Sequence, residues 1–181
     1  MPSSPQSAAH AADRLANVPF GDSDAARATF DRVSRRISNT LASVLISILA
    51  DTPDPDSALL LFERLVSEGT PDVMEILEEH PFVAHYAVAV FGTSWFLGET
   101  LIANPDILHA FLRDKWLDHS CSREDFCEGL ARFHSRSFDR DPSLLLARFK
   151  RREYVRIMLR DVLRIAPLAR LRRKFPRSVM Y

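Results

Sequence analysis

Glycine is scarce in this chain, with five residues against eleven prolines in 181. Average usage of about 7% would give a chain of this length roughly 13 glycines. Hairpins, bulges and phosphate-cradling loops spend glycine on backbone conformations that other residues rarely adopt, so folds built from them are disfavoured. No run of period-two alternation bounded by turn residues is present either, and no strand is expected. The reading is an all-α protein, an irregular helical bundle of about seven or eight helices joined by short Pro/Asp turns.

The punctuation along the chain supports this. Residues 1–22, rich in Ser, Ala and Pro, read as a flexible leader. From Asp24 onward, Phe30, Val33, Ile37, Leu41, Val44, Leu45 and Ile48 recur at spacings of three and four, which predicts one helix of about 25 residues. Asp51 to Asp56, with two prolines, ends it. Further helices are expected over Ser57 to Ser67, from Pro71 to before Pro81, over Pro81 to Phe91 and over Ser94 to Ala103. Pro105 opens another to about Leu117, and Ser122 with Asp125 has the spacing of a capping box for a helix to about Ser135. Asp141-Pro142 starts the last helix, expected to reach about Ile165 because Pro167 follows. The expected organisation is therefore a leader over 1–22, a helical domain over 23–166 and a basic tail over 167–181.

The longest apolar stretches, Leu41 to Ala50 and Phe82 to Gly98, fall short of the ~20 residues that a membrane span needs. Cys121 and Cys127 are too few for a disulfide framework, and no export signal precedes them, so the cytoplasm is the expected setting.

Candidate chemistry is thin. Three Asp-x-Asp pairs, Asp22/Asp24, Asp54/Asp56 and Asp139/Asp141, have the composition of a two-metal phosphoryl-transfer site. Each precedes a helix start, where an aspartate caps free N–H groups, and capping is the preferred reading. His119, Cys121, Cys127 and His134 supply four possible zinc ligands without the tight spacing of known fingers. The plainer reading is a buried Cys127 thiol beside Leu130 and Ala131, with surface histidines. Phosphate loops of the G-x-G-x-x-G or G-x₄-G-K type are absent. No residue is assigned a catalytic, cofactor-binding or metal-binding role.

Net charge is zero, with 24 basic and 24 acidic residues, but the charges are segregated. Residues 148–181 hold 12 basic and 2 acidic residues, a charge of +10, which leaves −10 on residues 1–147. In the last helix Arg148, Lys150, Arg151, Arg152, Arg156, Arg160 and Arg164 stand against apolar Leu145, Phe149, Val155, Met158, Leu159, Val162 and Leu163. Arg148, Arg152 and Arg156 lie four apart and predict a basic ridge flanking the core stripe. Such a ridge is either a solvated face paired with acidic neighbours, or a contact surface for an acidic partner, a nucleotide phosphate or an adjoining domain. Elements that stack on or read bases are missing, so nucleic acid is not an expected partner.

Two stretches resemble a known family. Phe91-Gly-Thr-Ser-Trp-Phe-Leu-Gly-Glu-Thr-Leu-Ile-Ala-Asn-Pro105-Asp-Ile-Leu resembles the F-G-x-S-x-F-L…L…P-x-x-L segment of glutamine synthetase adenylyltransferases. Leu146-Ala-Arg-Phe-Lys-Arg-Arg-Glu-Tyr-Val-Arg-Ile-Met-Leu-Arg-Asp161-Val-Leu resembles their L-R-R-F-R-R-R-E-x-L-R-I-x-x-R-D-L helix. The two blocks stand in the family's order, and the resemblance spans about residues 55–166. It implies the helical part that precedes the first nucleotidyltransferase domain of enzymes that move AMP between Mg-ATP and a tyrosine of glutamine synthetase. Those enzymes act under nitrogen-signalling proteins. ATP and magnesium would belong to the full-length family and not to this chain, because its G-G-x₃-N-x-S-D-x-D motif is absent here. The expectation is a segment inactive on its own; the alternative is a free-standing helical interaction module with a basic C-terminal face. After Ala169, Arg170 to Tyr181 departs from the family's E-T-T-A-E-I-S-A-L-S-D continuation. One back-translation of it read in a shifted frame gives T-T-A-E-I-S-A-L-S-D-V, which is compatible with a frameshift near codon 169.

Overall fold

Caps and prolines decide where the backbone turns. The computed structural model describes residues 15–112, 117, 122–136 and 141–174, with side chains of the last helix followed to Leu163. Among the described residues there are nine helices and no strand, so the all-α expectation holds. They are α1 Ser23–Ser34, α2 Asn39–Leu49, α3 Pro55–Glu68, α4 Pro71–Glu79, α5 Pro81–Phe91, α6 Trp95–Ala103, α7 Asp106–Phe111, α8 Arg123–Arg136 and α9 Pro142–Lys174. Two compact units divide them: residues 1–112 hold α1 to α7, and residues 113–181 hold α8 and α9.

The first unit is organised around α3 and α5. Helix α3 packs against α1, α2, α5 and α6, and α5 also meets α2, α4, α6 and α7. Leu59, Leu61, Phe62 and Leu65 of α3 and Val83, Ala84, Ala87, Val88 and Phe91 of α5 are buried. Each large apolar side chain so buried is worth roughly 1.5–3 kcal/mol of transfer free energy. Gly98 lets α6 approach closely, because a Cβ there would lie 2.6 Å from Leu61 Cδ1 and 3.0 Å from Phe91 Cδ1.

The single 25-residue helix expected from Asp24 is two helices. Ser38 stands between them as the N-cap of α2, its Oγ accepting from the Leu41 N–H at 3.1 Å. Glu78 fixes that cap, accepting from the Ser38 N–H at 2.7 Å and from its Oγ–H at 2.5 Å. The apolar spacing carries through the break, and Phe30, Val33, Ile37, Leu41 and Leu45 are all buried. Periodicity alone therefore missed the turn.

Residues 15–22, expected within the leader, are packed, and residues 1–14 lie outside the described residues. Leu15 and Val18 are buried, and the Gly21 N–H donates to Asp56 Oδ2 at 2.8 Å, which ties residues 15–22 to the start of α3. Helix α5 has the expected bounds, whereas α7 ends at Phe111, before the expected Leu117.

In the second unit Ser122 and Asp125 form the expected reciprocal box: Asp125 N–H donates to Ser122 Oγ at 3.1 Å, and Ser122 N–H to Asp125 Oδ2 at 2.9 Å. Helix α8 joins α9 through aromatic rings. Phe149 stands edge-on to Phe126, with centroids 5.3 Å apart, and tilted to Phe133 at 5.7 Å. Helix α9 passes the expected stop at Ile165 and runs through Pro167 to Lys174. A proline forfeits one ladder bond, but Ala166, Leu168, Ala169, Arg170 and Leu171 around it are strong helix formers.

Candidate functional site

One aspartate of each acidic pair is a helix cap. Asp22 Oδ1 accepts from the N–H groups of Asp24 and Ala25 at 3.1 and 3.0 Å. Asp54 caps α3 through the Ser57 N–H at 3.0 Å, and hydrogen bonds from Ser57 hold its carboxyl below the ordinary value of 3.8. Asp141 caps α9 through the Ser143 N–H at 2.8 Å, and Asp139 lies outside the described residues. Asp56, instead of pairing with Asp54 around an ion, turns to Gly21.

Of the possible zinc ligands, His119 and Cys121 lie outside the described residues. Cys127 is an exposed thiol, which corrects the expectation of a buried one. The reason lies in α8, none of whose described residues is fully buried; its apolar stripe through Phe126 and Phe133 meets Phe149 and Arg152 of α9, away from Cys127. No group of three or more His, Cys, Asp or Glu side chains able to hold a metal ion occurs among the described residues.

The basic helix α9 is the strongest candidate, and its structure changes the reading of the ridge. Leu145, Phe149, Val155 and Leu159 are buried as expected. Arg156, however, lies inside that stripe and not beside it. Its Nε donates to Glu153 Oε2 at 2.6 Å, with the two side chains only 5% and 9% exposed. Phe149, Glu153 and Arg156 follow at i, i+4 and i+7, so one face carries both the aromatic contact with α8 and the ion pair. Arg152, half-buried, places its guanidinium carbon 5.8 Å from the Phe133 ring centroid, within cation–π range. Arg148, Lys150 and Arg151 remain at the surface. The sequence signal for the buried pair was the lone Glu153 within a run of basic residues.

The opposite face of α9 is not simply polar. Leu146, Tyr154 and Ile157 are 53%, 45% and 45% exposed, and Lys150 Nζ sits 5.5 Å from the Tyr154 ring centroid.

In the first unit the Phe91–Leu108 block is mainly structural. Phe91, Leu97, Leu101 and Leu108 are buried, Ser94 caps α6 through the Leu97 N–H, and a Cβ on Gly92 would overlap the Thr52 methyl. Trp95 and Phe96 are exposed at the start of α6. Beside them Arg64 of α3 bridges to Glu99 of α6 and, at 3.1 Å, to Glu68. These bonds, led by Glu99, raise the Arg64 pKa further above its ordinary value. The arrangement joins helices and holds no convergent set of reactive groups.

No helix among the described residues is long and apolar enough to cross a membrane. No family model matches the chain, and no solved structure matches it. Curated relatives do. Over 136 residues the chain is 33% identical to the bifunctional glutamine synthetase adenylyltransferase/adenylyl-removing enzyme of Mycolicibacterium smegmatis, an alignment covering 71% of this chain and 13% of that protein. Over 168 residues it is 29% identical to the protein of the same name from Cutibacterium acnes, covering 87% of this chain and 17% of that one. The resemblance carried by the two sequence blocks is thus borne out, and the chain spans less than a fifth of the length of these relatives.

Proposed function

We propose that this chain is a non-catalytic helical segment of a protein like the glutamine synthetase adenylyltransferase/adenylyl-removing enzymes. In the longer protein it would brace the nucleotidyltransferase domain that moves AMP between ATP, with magnesium, and a tyrosine of glutamine synthetase, under nitrogen-signalling partners. The observation carrying this reading is the similarity along most of the chain to bifunctional enzymes many times its length. The side chains agree with a bracing role. Arg156, the last of the ridge's three arginines, is buried against Glu153, and Arg152 lies over the Phe133 ring, so two of the three take part in packing within the second unit. Asp22, Asp54, Asp56 and Asp141, four of the aspartates with the pattern of metal ligands, accept from backbone N–H groups.

A chain with these properties transfers no AMP by itself. Incubating it with labelled ATP, magnesium and glutamine synthetase should leave the target tyrosine unlabelled, and label above the protein-free control would refute the reading. A second reading, a free-standing interaction module, draws support from the exposed apolar residues of α9 set among Lys150 and Arg151. Salt-sensitive binding of an acidic partner by the 181-residue chain would favour it.

A further inference from the structure

Helix α9 is apolar on two faces. One is buried through Leu145, Phe149, Val155 and Leu159. The other runs along Leu146, Lys150, Tyr154 and Ile157, spaced at i, i+4, i+8 and i+11, and lies exposed until Asp161 one turn further on. Exposed Leu146, Tyr154 and Ile157, grouped on one side of a helix otherwise rich in charge, give that side an apolar strip. Cations border this second face: Lys150 lies on it and Arg151 beside it.

The first unit offers a surface of opposite character. Residues 1–112 hold 15 acidic and 6 basic residues, and residues 113–181 hold 9 and 18, so the units carry −9 and +9. Helix α4 has no basic residue, and Asp72, Glu75 and Glu79, at i, i+3 and i+7, form an exposed acidic stripe along it. Next to its end, Phe82 is exposed, with its ring 5.7 Å from His80 and 5.8 Å from Tyr86. An acidic row with an aromatic shoulder is what a basic, apolar helix face can meet.

We infer that the Leu146–Lys150–Tyr154–Ile157 face of α9 docks on the α4 surface of a second copy of this chain. Pairing two α9 faces would bring Lys150 and Arg151 against their own kind, whereas α9 against α4 matches cation to carboxylate. Each copy offers one α9 face and one α4 stripe, so the contact either closes reciprocally in a pair or passes from copy to copy. The inference concerns self-association and stands apart from the proposed function.

The test is sedimentation equilibrium of the 181-residue chain. The weight-average mass should climb above that of the monomer as concentration rises, and fall as salt is added. Ile157→Glu should weaken association by at least about tenfold, with circular dichroism confirming that this surface variant stays helical. Lys150→Glu/Arg151→Glu and Glu75→Lys/Glu79→Lys should each lose self-association, and an equimolar mixture of the two should regain it, because the reversed faces complement each other. A chain monomeric at every concentration would overturn the inference. So would an association that Ile157→Glu leaves unchanged, or a mixture that gains no mass.

Discussion

Removing the charge from Glu153 should expose what the buried ion pair of α9 contributes. Arg156 Nε lies 2.6 Å from Glu153 Oε2, and both side chains are under a tenth exposed. Two unit charges about 4 Å apart at an effective dielectric of about 20 attract by about 4 kcal/mol. In Glu153→Gln a neutral hydrogen bond worth about 1 kcal/mol can persist, so the expected loss is about 3 kcal/mol, near the lower end for breaking a buried pair. Replacing both partners, as Glu153→Met with Arg156→Met, removes the charges together and should return stability to within about 1 kcal/mol of the parent. Urea unfolding followed by far-ultraviolet circular dichroism, with the slope checked for constancy, measures both. If the single variant lost less than about 0.5 kcal/mol, a change typical of exposed substitutions, or if the double variant were no better than the single one, the assignment of Arg156 to a buried pair would be wrong.

Other outcomes follow from the first unit. Ser38→Ala removes both the α2 cap and one of the two donors that Glu78 receives, and should cost about 1–2 kcal/mol in the same urea titration. Gly98→Leu must displace Leu61 and Phe91, and overpacking of this kind should lower stability by about 1–3 kcal/mol. Asp54 has a folded-state pKa below its ordinary value of 3.8, through the Ser57 bonds. Its contribution is therefore complete above that value and fades as pH falls through the folded pKa. Asp54→Asn, which keeps a capping oxygen, should make the loss of thermal stability below about pH 4 slightly shallower; an unchanged acid limb would count against the charged cap.

Local signals with one physical cause were legible in the sequence. Pro81 and Gly92 bound α5 as expected, because a proline at the first turn and a residue outside the helix leave little freedom. The Ser122–Asp125 box and the aspartate caps are short-range hydrogen bonds between neighbours. What escaped depends on residues far apart in the chain. The break at Ser38 is secured by Glu78, forty positions away, and the apolar spacing on either side gives no hint of it. Residues 15–22 read as a leader because the partner that holds Gly21 is Asp56. Arg156 read as part of an exposed ridge because charge was weighed without its neighbour at i−3. The exposure of Cys127 reflects how little covers α8, which its own sequence cannot show. The functional reading had a different source: caps and packing residues carry no chemistry, and only the resemblance along the chain pointed to AMP transfer.

A segment exchange tests the central claim most directly. In the Mycolicibacterium smegmatis enzyme, the stretch that matches this chain would be replaced by the corresponding residues from here, and AMP transfer to glutamine synthetase measured with labelled ATP. If the chain is the equivalent bracing segment, a folded chimera transfers label and the same enzyme with the stretch deleted does not. A folded chimera without transfer, or a deletion variant as active as the parent, would contradict the account.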